Sequence, residues 1–160
     1  MSTQEQADRV YRLAYRLGYP IAKRWWRLHG RHRGVSIAVW LGDTVLAVRH
    51  SYKPGLRLPG GGVAWREDHR RAAVHELREE VGVSADPEQL KLVASVPTRH
   101  GLVYLYEVRV AAMPELVIDR REIIEARFVR PTMLYRTKLS TILTALQLMK
   151  SPSIEAAVDA

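Results

Sequence analysis

The chain has 160 residues, of which 47% are hydrophobic and 26% charged, and this is the composition of one ordinary globular domain. It contains no cysteine, which excludes disulfides, thiolate metal sites and a cysteine nucleophile. The 25 lysines and arginines outnumber the 17 acidic residues, and a net charge of +8 suits an anionic partner such as nucleic acid, anionic lipid or a phosphorylated substrate.

The positive charge is concentrated in an N-terminal extension, residues 1–33, which holds eight basic and two acidic residues. Apolar residues recur there at three- and four-residue steps, which predicts a basic amphipathic helix. These residues are Val10, Leu13, Ala14, Leu17, Ile21, Trp25 and Leu28. We expect the extension to pack on its own domain or on a second copy in a homodimer. RNA binding by its arginines is the alternative, and attachment to a membrane surface is not expected.

Targeting signals are not visible in the sequence. The first residues carry acids where a secretory signal has positive charge. No apolar run approaches the ~20 residues that a bilayer-spanning helix needs. A cytoplasmic protein is therefore expected.

Two short strands and a glycine turn follow the extension. Residues 35–41 and 45–50 are apolar and rich in β-branched residues, and Gly42-Asp43 between them predicts a hairpin. Residues 60–62 are three consecutive glycines, at which backbone can approach a ligand closely because no Cβ intrudes. No Gly-Lys-Ser/Thr pattern follows, so the turn is not a Walker-type phosphate loop.

The helix predicted after the glycines carries an acidic face. Apolar residues recur at helical spacing over residues 67–81, and the helix is predicted to end at Gly82, because glycine often follows the last residue of a helix. At about 100° per residue, Glu76, Glu79 and Glu80 share an arc of about 100°. These like charges repel, and a hard cation such as Mg²⁺ or Mn²⁺ would compensate them. The alternative is a solvated acidic face without a ligand.

The C-terminal half predicts three more strands, over residues 90–96, 102–110 and 124–129. Pro131 is expected to open a last helix. Its buried face would contain Leu139, Ile142, Leu143, Leu146 and Met149. Helices and strands in this order predict an α+β fold in which a mixed sheet lies between helices. The chain is therefore predicted to have three parts. They are the N-terminal extension over residues 1–33, one domain over residues 34–150 and a tail over residues 151–160.

The spacing of the glycine turn and the acidic helix resembles the Nudix box. In that motif a glycine is followed after five residues by a glutamate, and after seven more by Arg-Glu-U-x-Glu-Glu-x-Gly-U, in which U is aliphatic. Gly61, Glu67 and residues 75–83 fit every specified position except one. The exception is His75, where the family has arginine. The resemblance extends over about residues 34–149.

This resemblance implies a Nudix fold and hydrolysis of a nucleoside diphosphate linked to another moiety, such as an ADP-ribose-like nucleotide or a nucleoside triphosphate. It implies that Glu76, Glu79 and Glu80 hold Mg²⁺, with Mn²⁺ as a substitute, together with the carbonyl of Gly61. The metal would neutralise charge on the phosphates while a carboxylate or the metal activates water. Glu79 is the favoured general base. Glu122 is the alternative, because related domains often place an acid in this region.

The roles of two residues stay open. Glu122 fits equally well as a surface glutamate paired with Arg120 or Arg121. His75 offers fewer hydrogen bonds than the arginine that it replaces, and it carries charge only below a pKa that is normally near 6.5. A helical wheel places it beside Glu79, which would raise its pKa. We interpret it as a tolerated replacement within the catalytic machinery, the alternative being altered pH dependence or lost catalysis.

Residues that determine the substrate are expected outside the motif. Four residues near the glycine turn are predicted to bind substrate phosphates, namely Arg49, Arg57, Gly60 and Gly62. His50 and Lys53 lie in the same stretch and would face phosphates as well. The alternative is that these cations are solvated on a strand and a loop.

Two functions of different classes, an enzyme and a binding module, are compatible with the sequence. The first is a Mg²⁺-dependent Nudix pyrophosphohydrolase whose partner is a small nucleoside diphosphate derivative. The second is a non-catalytic Nudix-fold module that binds a nucleotide or RNA, which His75 and the basic extension favour. An RNA 5′-end pyrophosphohydrolase is a variant of the first.

Overall fold

The computed structural model describes residues 32–64, 66–99, 101–118, 120 and 122–149. Five strands form one sheet: β1 (His32–Leu41), β2 (Thr44–His50), β3 (Lys91–Thr98), β4 (Gly101–Arg109) and β5 (Ile123–Val129). The α-helices are α1 (His69–Val81) and α2 (Lys138–Met149), and short 3₁₀ turns cover Pro87–Gln89 and Pro131–Met133. The predicted N-terminal helix and the tail lie outside the described residues.

The strands lie in the order β3-β4-β1-β2-β5. The central strands β1 and β4 run parallel, and all other neighbours run antiparallel. The predicted hairpin joins β1 to β2, with Leu41 opposite Thr44 and Gly42 at a φ of 56°, the left-handed conformation that a tight hairpin turn requires. The mixed sheet confirms the predicted α+β class.

Apolar side chains cover both faces of the sheet. On one face Leu77 and Val81 of α1 pack against alternate residues of β1 that include Ile37. On the other face Leu143 of α2 packs with Ala38 of the same strand. Burial on both sides explains why the central strands are almost continuously apolar. The sheet therefore lies between two helices, as the sequence predicted.

Helix α1 is fixed at both ends by caps. The Asp68 carboxylate accepts hydrogen bonds from the backbone N–H groups of Arg70 and Arg71. At the other end Gly82 has a φ of 72°, and its N–H donates to the carbonyl of Arg78. The helix thus ends where the sequence predicted and begins two residues later, so Glu67 lies just before it.

Helix α2 begins at Lys138, and the prediction that Pro131 opens it was wrong. Pro131 opens only a 3₁₀ turn, after which the N–H of Tyr135 donates to the carbonyl of Leu56 and the chain leaves the helical path. Thr137 and Ser140 then form a reciprocal capping box, each side-chain oxygen accepting from the other residue's N–H. This cap starts the helix.

The apolar face predicted for α2 is present as far as its side chains are described. Leu143 is fully buried, and Leu139 and Ile142 pack against the same core. The side chains of Leu146 and Met149 lie outside the described part of the chain. Among the described helices, none has the length and hydropathy of a membrane span.

Candidate active site

Helix α1 brings two carboxylates against the glycine turn. Because Leu77 and Val81 are buried on the sheet, Glu76 and Glu80, one turn apart, lie together at the margin of the buried face. The Glu80 Oε2 atom accepts a hydrogen bond from the N–H of Gly60 at 2.9 Å. A Cβ built on Gly61 would lie 2.2 Å from Glu76 Oε1. The turn and both acids are therefore in direct contact.

The glycine turn is held by the backbone of β1. The N–H of Val35 donates to the carbonyl of Gly61 at 2.9 Å. Gly60 has a φ of 143°, and a Cβ there would lie 2.2 Å from the carbonyl oxygen of Val35, so only glycine fits. Gly62 has open space around it. Since a carbonyl oxygen has two lone pairs, the Gly61 carbonyl retains an acceptor site besides its bond to β1.

A histidine and two acids lie together beside the turn. Glu80 is only 7% exposed and His50 only 4%, and His50 Nε2 lies 3.3 Å from Glu80 Oε1. Glu122 is half-buried, and its carboxylate accepts a hydrogen bond from the Tyr52 hydroxyl. One ligand atom from each of His50, Glu80 and Glu122 lies within 4.8 Å of the other two. We call these three residues the His–Glu–Glu cluster.

Strand pairing at the end of β2 brings His50 and Glu122 to the same place. A β-bulge shifts the register between β2 and β5, so that Arg49 opposes Glu125 whereas His50 opposes Ile123. The next residue, Ser51, donates its N–H to the Glu122 carbonyl at 2.8 Å. Bulges of this kind redirect side chains and are frequent beside functional sites.

The acids affect one another electrostatically. Burial is the main cause that raises the pKa of Glu76 to about 7, and the negative charges of nearby carboxylates add to it. Those carboxylates belong to Glu80, Glu79, Glu122 and Glu67. A carboxyl group in this position holds its proton near neutrality unless a cation compensates the charge. A cation bound beside Glu76 would therefore favour the ionised form of its carboxyl group.

Replacing Glu76 by glutamine should stabilise the metal-free protein at high pH. The pKa of Glu76 is about 7 in the folded chain and near 4.5 when unfolded, so the folded state binds more protons between these values and stability falls as pH rises through them. Glutamine removes that loss, so we expect a gain of about 2–3 kcal/mol at pH 8.5 and little change at pH 4.5. Denaturant unfolding with a chelator present measures this. Equal pH dependence in both proteins would contradict it.

One member of the cluster and a neighbouring lysine also have shifted pKa values. Burial lowers the pKa of His50 to about 4, with Lys53 adding to the effect, so its imidazole is neutral at pH 7. Burial also lowers the pKa of the Lys53 ammonium, whereas the neighbouring Glu80 carboxylate acts to raise it. Lys53 is therefore a partly buried amine within electrostatic reach of the acids.

A cavity of about 140 Å³ adjoins the cluster. Its lining includes His50 at the end of β2, then Lys53, Arg57 and Gly60 from the segment after that strand. The segment before α2 and the first turn of α2 complete it. That segment includes Tyr135, whose ring lies 4.4 Å below the Arg57 guanidinium. The charged side chains of its lining, Lys53 and Arg57, are both basic, so the cavity suits an anionic group.

A model of the NUDIX domain family matches residues 30–146 of the chain. The chain belongs to the Nudix family. This confirms the resemblance of the motif and supports the predicted class, a hydrolase of pyrophosphate bonds. No curated protein matches the chain in sequence.

Solved Nudix structures share the fold of this chain. A NUDIX-family hydrolase from Clostridium perfringens has 14% identity and a TM-score of 0.62, covering 76% of this chain and 99% of that one. A MutT Nudix hydrolase from Burkholderia pseudomallei has 19% identity and a TM-score of 0.59, with coverages of 72% and 97%. An Ap4A hydrolase from C. elegans has 18% identity and a TM-score of 0.59, with coverages of 74% and 97%. At these identities the likeness shows the fold.

Within the Nudix motif, Glu79 and His75 lie apart from the cluster. Glu79 is exposed and acts on Glu76 through its charge. The His75 side chain is 65% exposed, and its Nδ1 atom lies 2.9 Å from Glu67 Oε1, a contact that the helical wheel does not predict. The second Glu67 oxygen accepts from the N–H of Ala64. His75 therefore helps to hold the loop that precedes α1.

The residues predicted to bind phosphate fall into two groups. Arg57 and Gly60 line the cavity. Arg49 instead pairs with Glu125 of the neighbouring strand at 2.6 Å, and Gly62 is exposed opposite Gly34. The structure thus brings together only half of the predicted set.

Sequence reasoning missed how close His50 and Tyr52 lie to the acids of this Nudix domain. A signal for His50 was present in the alternation of β2. Leu46 and Val48 face α1, so His50 continues the same face and meets Glu80. Tyr52 could not be assigned this way because it lies beyond the strand, and its bond to Glu122 spans 70 residues.

Proposed function

We propose that this chain is a divalent-metal-dependent Nudix pyrophosphohydrolase that cleaves a small nucleoside diphosphate derivative. The observation that carries the proposal is the contact of Glu76 and Glu80 with the glycine turn, with Glu122 close to Glu80 and a cavity with a basic lining alongside. Such an arrangement suits a diphosphate. A cation held by the acids can neutralise part of its negative charge, and the basic side chains of the cavity can neutralise the rest.

The donor set at the turn fits Mg²⁺ or Mn²⁺. Glu76, Glu80, Glu122 and the Gly61 carbonyl would hold the ion, and their oxygens are the donors that these hard cations prefer. When bound, such an ion neutralises charge on phosphate oxygens and lowers the pKa of water. The absence of a side chain at Gly61 is what allows the Glu76 carboxylate to lie against the turn.

The other groups orient the acids and accept the proton. Glu80 is held by the N–H of Gly60 and by His50, and Glu122 by the Tyr52 hydroxyl. We assign Glu122 as the base that takes the proton of the attacking water, through the carboxylate oxygen that would not bind the ion, because it lies in the cluster whereas Glu79 is exposed on the helix. Glu79 is the alternative base, acting from the other side of Glu76.

The cavity would bind the part of the substrate next to the cleaved bond. Lys53 and Arg57 supply its positive charge, and the guanidinium of Arg57 is positioned by the Tyr135 ring and by a bond to the Pro54 carbonyl. A positioned guanidinium forms forked, charge-assisted hydrogen bonds to phosphate. These residues therefore account for binding, and the acids for the chemistry.

Replacing Arg57 by glutamine should raise KM about tenfold with a smaller change in kcat. A lost charge-assisted bond to phosphate is worth about 1.5–3 kcal/mol, and Arg57 would contribute it to binding. Arg49→Gln is the matched control, because Arg49 is engaged with Glu125 outside the cavity and should leave KM nearly unchanged. Steady-state kinetics on both variants test the assignment, and equal effects on KM would refute it.

A substrate panel tests the proposed activity. The purified chain with Mg²⁺ would be given ADP-ribose, nucleoside diphosphate sugars, dinucleoside polyphosphates and nucleoside triphosphates. For substrates with two blocked ends, alkaline phosphatase releases phosphate only after the diphosphate has been cleaved. For triphosphates, inorganic pyrophosphatase reports released pyrophosphate. We expect metal-dependent turnover of at least one class, and no turnover of any would contradict the proposal.

The alternative function is a Nudix-fold module that binds a nucleotide without cleaving it. His75 favours it, because an exposed imidazole with one contact to Glu67 replaces the arginine of the motif. Calorimetry separates the two functions, since tight binding of an intact nucleotide with Mg²⁺ and without turnover would indicate the module. If hydrolysis is present and His75→Arg does not increase it, the histidine is no defect.

A further inference from the structure

His50 is placed as firmly as the acids beside it. It is the last residue of β2, is 4% exposed, and has its Nε2 atom 3.3 Å from Glu80 Oε1. The Tyr52 ring packs edge-on against the imidazole at a centroid distance of 5.4 Å, and the Tyr52 hydroxyl donates to Glu122. One aromatic residue therefore fixes both the histidine and an acid of the His–Glu–Glu cluster.

The spacing in the cluster suits a single ion. Donor atoms bound to one cation at about 2.1 Å lie about 3–4.2 Å from one another, depending on the angle between the bonds. The pair His50 Nε2 and Glu80 Oε1, at 3.3 Å, falls in that range. The donor atoms of all three residues lie within 4.8 Å of one another, so small side-chain rotations would complete a shared site.

Hydrogen bonding within the described residues leaves the imidazole incomplete. His50 Nδ1 is buried and has no hydrogen-bond partner there. If Nε2 carries the hydrogen and donates to Glu80, the lone pair of Nδ1 is unsatisfied. If Nδ1 carries it, the lone pair of Nε2 faces a carboxylate oxygen, which is repulsive. In this second tautomer, a cation that accepts the Nε2 lone pair replaces the repulsion with coordination, and Nδ1 keeps the hydrogen.

We propose that His50 is a nitrogen ligand of the divalent cation, together with Glu80 and Glu122. The Nudix motif itself contributes only oxygen donors, so this ligand belongs to the particular sequence at the end of β2. The inference rests on the proposed function for the presence of the ion. A nitrogen ligand would make the site prefer Mn²⁺ to Mg²⁺, because imidazole nitrogen binds first-row transition metals well whereas Mg²⁺ favours oxygen ligands and water.

Pulsed electron paramagnetic resonance of the Mn²⁺-loaded full-length chain tests the ligand directly. We expect electron spin-echo modulation from a bound ¹⁴N nucleus, converted to a ¹⁵N pattern when the histidines are labelled with ¹⁵N. His50→Gln should abolish the modulation, and the matched control His75→Gln should keep it, since His75 is exposed and bonded to Glu67. Should His50→Gln not fold, His50→Asn and the labelled wild type supply the same readout.

Calorimetric titrations supply the second readout. His50→Gln should weaken Mn²⁺ binding at least about tenfold and weaken Mg²⁺ binding less. Bound Mn²⁺ without nitrogen modulation in the wild type would overturn the inference and leave the carboxylate site of the proposed function intact. Equal losses for both ions in His50→Gln would also overturn it. If neither ion binds the wild type, both the inference and the proposed function fail.

Discussion

Glu80→Gln should reduce pyrophosphate hydrolysis by about a thousandfold while the chain stays folded. Glutamine has the same size and can still accept the Gly60 N–H, so the glycine turn keeps its contact. It lacks the negative charge that a divalent cation requires, and Glu80 is the acid that lies in contact with both the turn and His50. Loss of one pre-organised group that stabilises transition-state charge typically costs a hundredfold to a thousandfold in rate.

The kinetic constants and a Mg²⁺ titration by calorimetry would be measured together for this variant. Glu88→Gln is the matched control, because Glu88 is an exposed acid in the 3₁₀ turn Pro87–Gln89, where its carboxylate lies 3.9 Å from the Arg70 guanidinium. Glu79→Gln gives the informative comparison. We expect it to lose less activity than Glu80→Gln, since Glu79 acts on Glu76 only through its charge. Full activity in Glu80→Gln would refute the assigned role.

Gly61→Ala should separate function from stability. The new methyl group would lie 2.2 Å from Glu76 Oε1 and 2.5 Å from Cδ, so the carboxylate must move away from the turn. Because the far end of a flexible side chain can move at little cost, we expect the free energy of unfolding to change by about 1 kcal/mol or less. Metal affinity should fall at least about tenfold, and kcat with it.

Gly62→Ala is the matched control for that substitution. It adds the same methyl group one residue further along, where no atom lies within 4 Å. Metal affinity, kcat and thermal midpoint should all stay near the wild-type values. If Gly62→Ala damaged metal binding as much as Gly61→Ala, the effect would come from stiffening the turn and not from displacing Glu76.

Local features of this fold were predictable from the sequence because they depend on neighbouring residues. The acidic and apolar stripes of α1 follow from helical periodicity, and the left-handed residue Gly82 marks its end. The hairpin follows from Gly42-Asp43 between two apolar runs. The start of α2 was mispredicted because Pro131 was taken as its first residue. The residues that cap the helix are Thr137 and Ser140.

The composition of the site was less predictable because it depends on pairing between distant segments. Glu122 reaches the acids of α1 only through the pairing of β5 with β2 and the bulge in that pair. The same register places Glu125 opposite Arg49, and this ion pair was not predicted. A helical wheel gives the angle of Glu79 around α1 but not which side of the acidic arc faces the cavity.

The two layers that flank the sheet carry different parts of the proposed machinery. Glu76 and Glu80 come from α1 on one side, whereas the outer wall of the cavity comes from the segment around Tyr135, whose N–H donates to the carbonyl of Leu56 in the segment after β2. Under the proposed function, substitutions in that wall would alter which nucleotide fits and leave the acids in place. Evolution could then change the substrate while the chemistry is kept, and laboratory selection for new substrates should begin at the C-terminal layer.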